Sequence, residues 1–125
     1  MNTPPRLDGI AARLADVRAS IARAEAHAHR PPGSVRLVAV SKKQPASAIA
    51  EAYAAGQRDF GENYVQELQT KSAELAELEG VRWHAIGALQ RNKAKDVVRV
   101  AHVIHTIDRE DLAIEVGKRA AAVGR

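Results

Sequence analysis

Hydrophobic positions change their period several times along the chain. Between Leu7 and His29, Ile10, Leu14, Val17 and Ile21 recur at spacings of four, three and four, with arginines elsewhere and alanine filling much of the rest. That pattern is one apolar stripe on a helix in a helix-favouring background. Pro31, Pro32 and Gly33 end it. Val35 to Val40 is a short, almost unbroken apolar run rich in β-branched residues, which suits a parallel strand better than a half-exposed antiparallel one. Ser41 to Gln44 turn the chain, Pro45 suits the first position of a helix, and that helix runs through Ile49, Ala52 and Tyr53 to Gly56.

The cycle then repeats. Asp59 to Gly61 reads as the core of a brief strand, and Asn63 to Glu79 as a helix carrying Val65, Leu68, Leu75 and Leu78. Val81 to Ile86 is a third strand, Asn92 to Val100 a short helix, and His102 to Ile107 a fourth strand. Asp108, with Asp111 three residues on, resembles a helix-capping arrangement. Leu112, Val116, Ala120 and Val123 continue as a helical stripe. The expected order is a leading helix over 7–29 and four strand–helix units over 35–123, in one domain spanning 1–125. Alternation of this kind means an α/β fold with a parallel sheet and right-handed crossovers. Such a pattern finishes either as an open doubly wound sheet or as a closed TIM-type barrel. A complete eight-fold barrel needs about 250 residues, so four units in 125 residues would be half of one.

Composition narrows the class of function. The chain is 46% hydrophobic and 27% charged, as in ordinary globular domains, and has no cysteine, which excludes disulfides, a thiol nucleophile and thiolate metal sites. No apolar run approaches the roughly 18 residues that cross a bilayer. The opening MNTPPRLDG lacks the layout of a secretory signal, so a cytoplasmic protein without membrane attachment is expected. The net charge of +4 is scattered among acidic residues, with no block of five like charges and four aromatic residues in all. Nucleic-acid binders concentrate positive charge on one face, and no nucleic-acid partner is expected.

In parallel α/β folds, ligands bind at the carboxyl ends of the strands. Ser41-Lys42, Gly61-Glu62-Asn63, Gly87 through Asn92, and Thr106 to Asp108 would therefore converge. Lys42 shares a strand face with Val38 and Val40. On a dehydrated barrel interior its amine would be freed to attack a carbonyl; on an open surface it is a turn lysine like Lys43. Asn63 is either a ligand-facing amide or a helix cap. His84, on the face of Arg82 and Ile86, is either a hydrogen-bonded core histidine or a ligand neighbour, and Gly87 permits a turn. His102 and His105 fall on opposite faces of the last strand. No metal-binding spacing, phosphate loop or serine-hydrolase context is present, so neither a metal nor a catalytic residue is assigned.

Taken in order, LVAVSKKQP, GQRDFGENYVQE, RWHAIGALQRNKAK and VIHTIDRE resemble the pyridoxal 5′-phosphate homeostasis protein family, which is similar in fold to the N-terminal barrel domain of alanine racemase. The resemblance runs from about Val35 through Gly117. It implies a barrel that carries pyridoxal phosphate on a lysine Schiff base, placing Lys42 at the attachment point, Asn63 on the cofactor pocket, and His84 and Gly87 near the pyridine ring. It further implies binding, buffering or delivery of the cofactor, with apo enzymes as recipients and without established turnover. A racemase-like enzyme, or an interaction module that has lost the cofactor, is the alternative. Two departures stand out. Many members have a second lysine two residues after the first, where this chain has Gln44, with Lys43 adjacent. The family's phosphate loops and the arginine facing the pyridine nitrogen would fall beyond Arg125. A half-barrel exposes strand edges, so self-association is also expected.

Overall fold

The computed structural model describes residues 9–125, so the first two positions of the expected leading helix lie outside the described residues. The elements are α1 (Ile10–His27), β1 (Ala39–Val40), α2 (Ala46–Ala54), β2 (Asp59–Glu62), α3 (Val65–Glu74) and β3 (Arg82–Ala85). A 3-10 turn (Arg91–Lys93) then leads into α4 (Ala94–Val100), β4 (Val103–Ile104) and α5 (Glu110–Ala122). The strands form one sheet in the order β1-β2-β3-β4, every neighbouring pair parallel. This is the α/β order that the hydrophobic periods predict. No described helix is long and apolar enough to cross a membrane.

The two faces of the sheet differ because strand side chains alternate. Ala39, Phe60 and Trp83 lie side by side and point into a core completed by Leu14 of α1, Ile49 of α2, Leu68 of α3, Val97 of α4 and Leu112 of α5. Phe60 is fully buried, with its ring 6.0 Å from that of Trp83 in a tilted arrangement; burial of such a side chain contributes about 1.5–3 kcal/mol. The neighbouring row, Val40, Gly61, His84 and Val103, faces the other way. Val40 and Val103 on that face are exposed.

Several element boundaries differ from the expectation, each for a local reason. The first strand is paired only at Ala39 and Val40, because side chains take the polar groups before it. Glu25 accepts hydrogen bonds from Gly33 N and Val35 N, and Gln57 Nε2 donates to the Leu37 carbonyl at 2.7 Å. Pro45 is the residue preceding α2 rather than its first helical residue; its extended ψ of 158° leaves no room for a helical turn there. The third helix stops at Glu74 instead of Glu79. Glu74, Glu77 and Glu79 cluster at that end, against the helix dipole, and Tyr53 OH ties down the Glu79 carbonyl at 2.6 Å. Asp108 does not cap α5. The capping position is Arg109, with no side-chain cap, and Asp108 pairs with the Arg109 guanidinium at 2.8 Å instead.

Candidate functional site

The four loops that leave the carboxyl ends of the strands are joined one to the next. Ladder hydrogen bonds continue past the strand ends: Ser41 N to Gly61 O at 2.9 Å, Ile86 N to Glu62 O and His105 N to Ala85 O at 3.0 Å. These bonds carry Ser41, Ile86 and His105 just beyond the paired strands, and Lys42 and Asn63 follow in the turns that leave β1 and β2. Gly87 passes so close to the preceding loop that an added Cβ would sit 2.2 Å from the Asn63 carbonyl oxygen. Only glycine allows that approach. Thr106 Oγ1 donates to the Gly87 carbonyl, and Arg109 to the Leu89 carbonyl at 3.2 Å. The positions singled out from the sequence therefore meet at one mouth, and Gly87 has a role there beyond permitting a turn. Asn63 does not cap α3; the residue at the cap is Tyr64, without a side-chain cap.

Lys42 is exposed, while the residues around it are pinned from behind the sheet. Ser41 is buried, and its hydroxyl is hydrogen-bonded to the Glu62 carboxylate. Lys71 of α3, buried on the helix side, donates to Glu62 Oε2 at 2.8 Å, to Glu67 Oε2 at 3.0 Å and to the Ser41 carbonyl. Glu67 also accepts the Lys43 backbone N–H at 2.9 Å, which with the Lys71 ammonium holds its carboxyl below the usual range. Lys43 is fixed in the left-handed region at φ 60°, a conformation that non-glycine residues adopt at a cost. One buried cation thus staples both flanks of Lys42 to β2 and α3. The dehydration of Lys42 anticipated for a barrel interior is not supplied by the described residues, among which Lys42, Val40 and Val103 are exposed.

A second polar chain crosses the open face. Arg82 grips Asp59 with two hydrogen bonds, at 2.8 and 2.7 Å. That fork, helped by the bond to His84 and by Arg36 at 3.8 Å, holds the Asp59 carboxyl at about 2 instead of 3.8. His84, buried, places Nε2 at 2.9 Å from Asp59 Oδ1 and Nδ1 at 2.9 Å from His105 Nε2. Both nitrogens of His84 are therefore taken within the protein. His102, on the opposite face of β4, instead accepts the Trp83 backbone N–H. Beside the mouth, a groove of about 630 Å³ runs between α3 and α4, lined by Asn63, Tyr64, Gln69, Gln90 and Lys93 among others. Among the described residues no cluster of histidine and acidic side chains could hold a metal ion.

No family model matches the chain. It is 47% identical over 118 residues to the pyridoxal phosphate homeostasis protein of Escherichia coli (strain K12), covering 93% of this chain and 50% of that protein. It is 45% identical over 113 residues to the protein of the same name from Pseudomonas aeruginosa, covering 90% and 49%. The chain is homologous to the pyridoxal phosphate homeostasis proteins. It spans about half the length of the curated relatives it matches. The structure of PipY from Synechococcus elongatus with PLP bound matches this pyridoxal phosphate homeostasis protein homologue with a TM-score of 0.81 at 47% identity, over 93% of this chain and 50% of that one. A Bifidobacterium adolescentis protein matches with a TM-score of 0.82 at 34% identity, over 99% and 54%.

Three groups in this pyridoxal phosphate homeostasis protein homologue escape a reading of the sequence: the Glu62–Lys71–Glu67 staple, Asp59, and His105 as a partner of His84. Asp59 reads from the sequence only as part of a strand core and Glu62 only as one of the converging strand-end positions, and neither reading names a partner. The one available signal was the pairing register, which sets His105 diagonally beside His84; it does not follow from either strand alone.

Proposed function

We propose that the chain binds pyridoxal phosphate in the service of cofactor homeostasis, with Lys42 as the covalent attachment point. The observation that carries this reading is the likeness to the PLP-bound PipY structure across 93% of the chain. The residues on the page suit the group. Cofactor chemistry here needs an aldehyde-reactive primary amine, and Lys42 is exposed, with no hydrogen bond or ion pair engaging it among the described residues. Its flanking backbone is held by Lys71 and Glu67, so the side chain leaves the chain at a fixed place in the mouth. Asn63 and Gly87, in mutual contact, form the adjoining wall, and His84 lies one row below. The cofactor supplies an aldehyde, which condenses reversibly with a lysine amine.

On the same reading, the four strand–helix units are half of an eight-stranded barrel, whose other half would cover the open face and dehydrate Lys42. The cofactor is held or handed on, to apo enzymes in the cytoplasm, without turnover of an amino-acid substrate. The test is the intact mass of the chain after incubation with pyridoxal phosphate and borohydride, followed by peptide mapping. One adduct on Lys42, lost in Lys42→Ala, is expected. A wild-type chain without adduct, or an adduct mapping to Lys43 or Lys93, overturns the reading.

A further inference from the structure

We propose that a second copy of this chain completes the sheet, its β4 pairing in parallel with β1 of the first copy and its β1 with β4, so that two chains close one eight-stranded barrel. This pairing rests on the half-barrel reading above and supplies its other half. Four strands in the order β1-β2-β3-β4 leave two edges among the described residues, one on β1 and one on β4. All four strands run the same way, so a neighbour of either edge that continues the sheet must be parallel to it. A copy turned by half a revolution about the barrel axis offers β4 where β1 needs a neighbour, and β1 where β4 does. The two junctions are then identical, as twofold symmetry requires. Eight parallel strands close a barrel, and four are half of its circumference. The curated relatives, about twice as long as the stretch they share with this chain, fit the same count.

Backbone, apolar surface and charge at the two edges all favour this occupant. Ser41 N donates inward to Gly61 O, so alternation turns the Val40 N–H and C=O to the outer side, where an unpaired strand edge is a template for another strand. Behind β1 a groove of about 350 Å³ opens between α1 and α2 and reaches past Leu14 and Ile49 to Phe60 of the core. A right-handed crossover lays the helix after a strand over the next junction, which brings α5 of the second copy across this groove. That helix carries Ile114, 63% exposed, and the segment before it carries Val103 and Ile107, both exposed. Charge agrees with the parallel direction. Lys42 and Lys43 stand exposed at the carboxyl end of β1, and Asp108, Glu110 and Asp111 stand exposed beyond the carboxyl end of β4. Arg109 binds Asp108 at 2.8 Å and Asp111 at 3.4 Å, and three acids around one arginine remain net negative. Parallel pairing aligns the carboxyl ends, so these acids meet the two lysines of the other copy. An antiparallel junction would set them at its far end. The mouth around Lys42 is thus completed by acidic residues of the second chain, and closure covers the face on which Val40 and Val103 are exposed.

Sedimentation equilibrium and hydrogen exchange on the cofactor-free chain test this. The expected species has twice the mass of the chain, melts at a temperature that rises with concentration, and protects the Val40 amide from exchange. Val40→Pro removes that outward donor, at a place where edge strands accept proline, and is expected to give a folded monomer with an unchanged far-ultraviolet spectrum. Asp108→Lys is expected to weaken the pair about tenfold, as suits exposed charge contacts that occur twice, and Lys43→Asp added to it to restore most of the loss. These charge reversals touch exposed side chains only, and they decide alone if the proline variant does not fold. A monomer at every concentration overturns the proposal; if its Val40 amide is protected nonetheless, a segment of the same chain covers that edge. A dimer that survives both Val40→Pro and Asp108→Lys overturns it as well, because its contact lies elsewhere. The cofactor reading is judged apart, by the adduct on Lys42: an adduct on a monomer strikes the pairing alone, and an edge-paired dimer without adduct strikes the cofactor reading alone.

Discussion

The Lys71 ammonium lies 2.8 Å from Glu62 Oε2, with the two side chains 8% and 0% exposed, on the helix side of the sheet and directly behind the lysine proposed to hold the cofactor. Removing one partner of such a pair leaves a buried charge without compensation, at a cost of about 3–5 kcal/mol. Lys71→Met is therefore expected to lower the unfolding free energy by that amount in urea titrations. Adding Glu62→Gln to it should recover much of the loss. Equal stability of wild type and Lys71→Met would mean that the ion pair contributes nothing.

Asp59 gives the chain an acid-sensitive limb. Its carboxyl is held at about 2 in the folded protein, mainly by Arg82, against an ordinary value of 3.8. A depressed folded value stabilises the protein above the unfolded value, and that contribution is lost as pH falls from about 4 towards 2. The drop is at most about 2 kcal/mol at 1.36 kcal/mol per unit, and smaller in practice because Arg82 is 42% exposed to screening solvent. Asp59→Asn should flatten the stability curve across that window, as measured by urea unfolding at stepped pH.

Two glycine-to-alanine changes should move in opposite directions. At Gly87 the new methyl group would meet the Asn63 carbonyl at 2.2 Å, backbone against backbone. A loss of about 1–3 kcal/mol from overpacking is expected, together with displaced amide resonances around residues 62–65. At Gly117, inside α5, nothing lies within 4 Å, and alanine should stabilise by up to about 1 kcal/mol. Thermal melts of the two variants check both signs.

The neighbouring lysines separate by backbone conformation. Lys43 holds φ at 60° and donates its N–H to Glu67. Lys43→Gly relieves the left-handed strain and should be neutral or stabilising by up to about 1 kcal/mol, with the adduct still on Lys42. Lys43→Pro removes the donor and cannot adopt that φ. It should lower stability and slow adduct formation together, and a proline variant indistinguishable from wild type would contradict the staple.

The order of helix and strands was legible because each period of the hydrophobic pattern answers to one buried face, as Leu14, Ile49, Leu68 and Leu112 illustrate. The convergence of Lys42, Asn63 and Gly87 was legible too, since it follows from parallel strands alone. Element ends were not. Whether Val35 to Leu37 pair as a strand depends on Glu25 and Gln57, residues distant in sequence that capture their backbone. The polar chains were equally hidden. Asp59 finds His84 25 residues away and His84 finds His105 21 residues away, contacts fixed by strand register, which hydropathy does not encode.

The contact of Gly87 with Asn63, and the bonds from Thr106 and Arg109 to carbonyls of the third loop, have a consequence for how this mouth can change over time. Its rim is held by a main-chain contact and by two side-chain donors, Thr106 and Arg109, so its outline does not depend on the side chains that make no such bond. Residues such as Gln90, Asn92 and Ile107 can then be exchanged without reshaping the opening, which leaves the preference for a guest molecule free to drift while the frame that presents the lysine stays put.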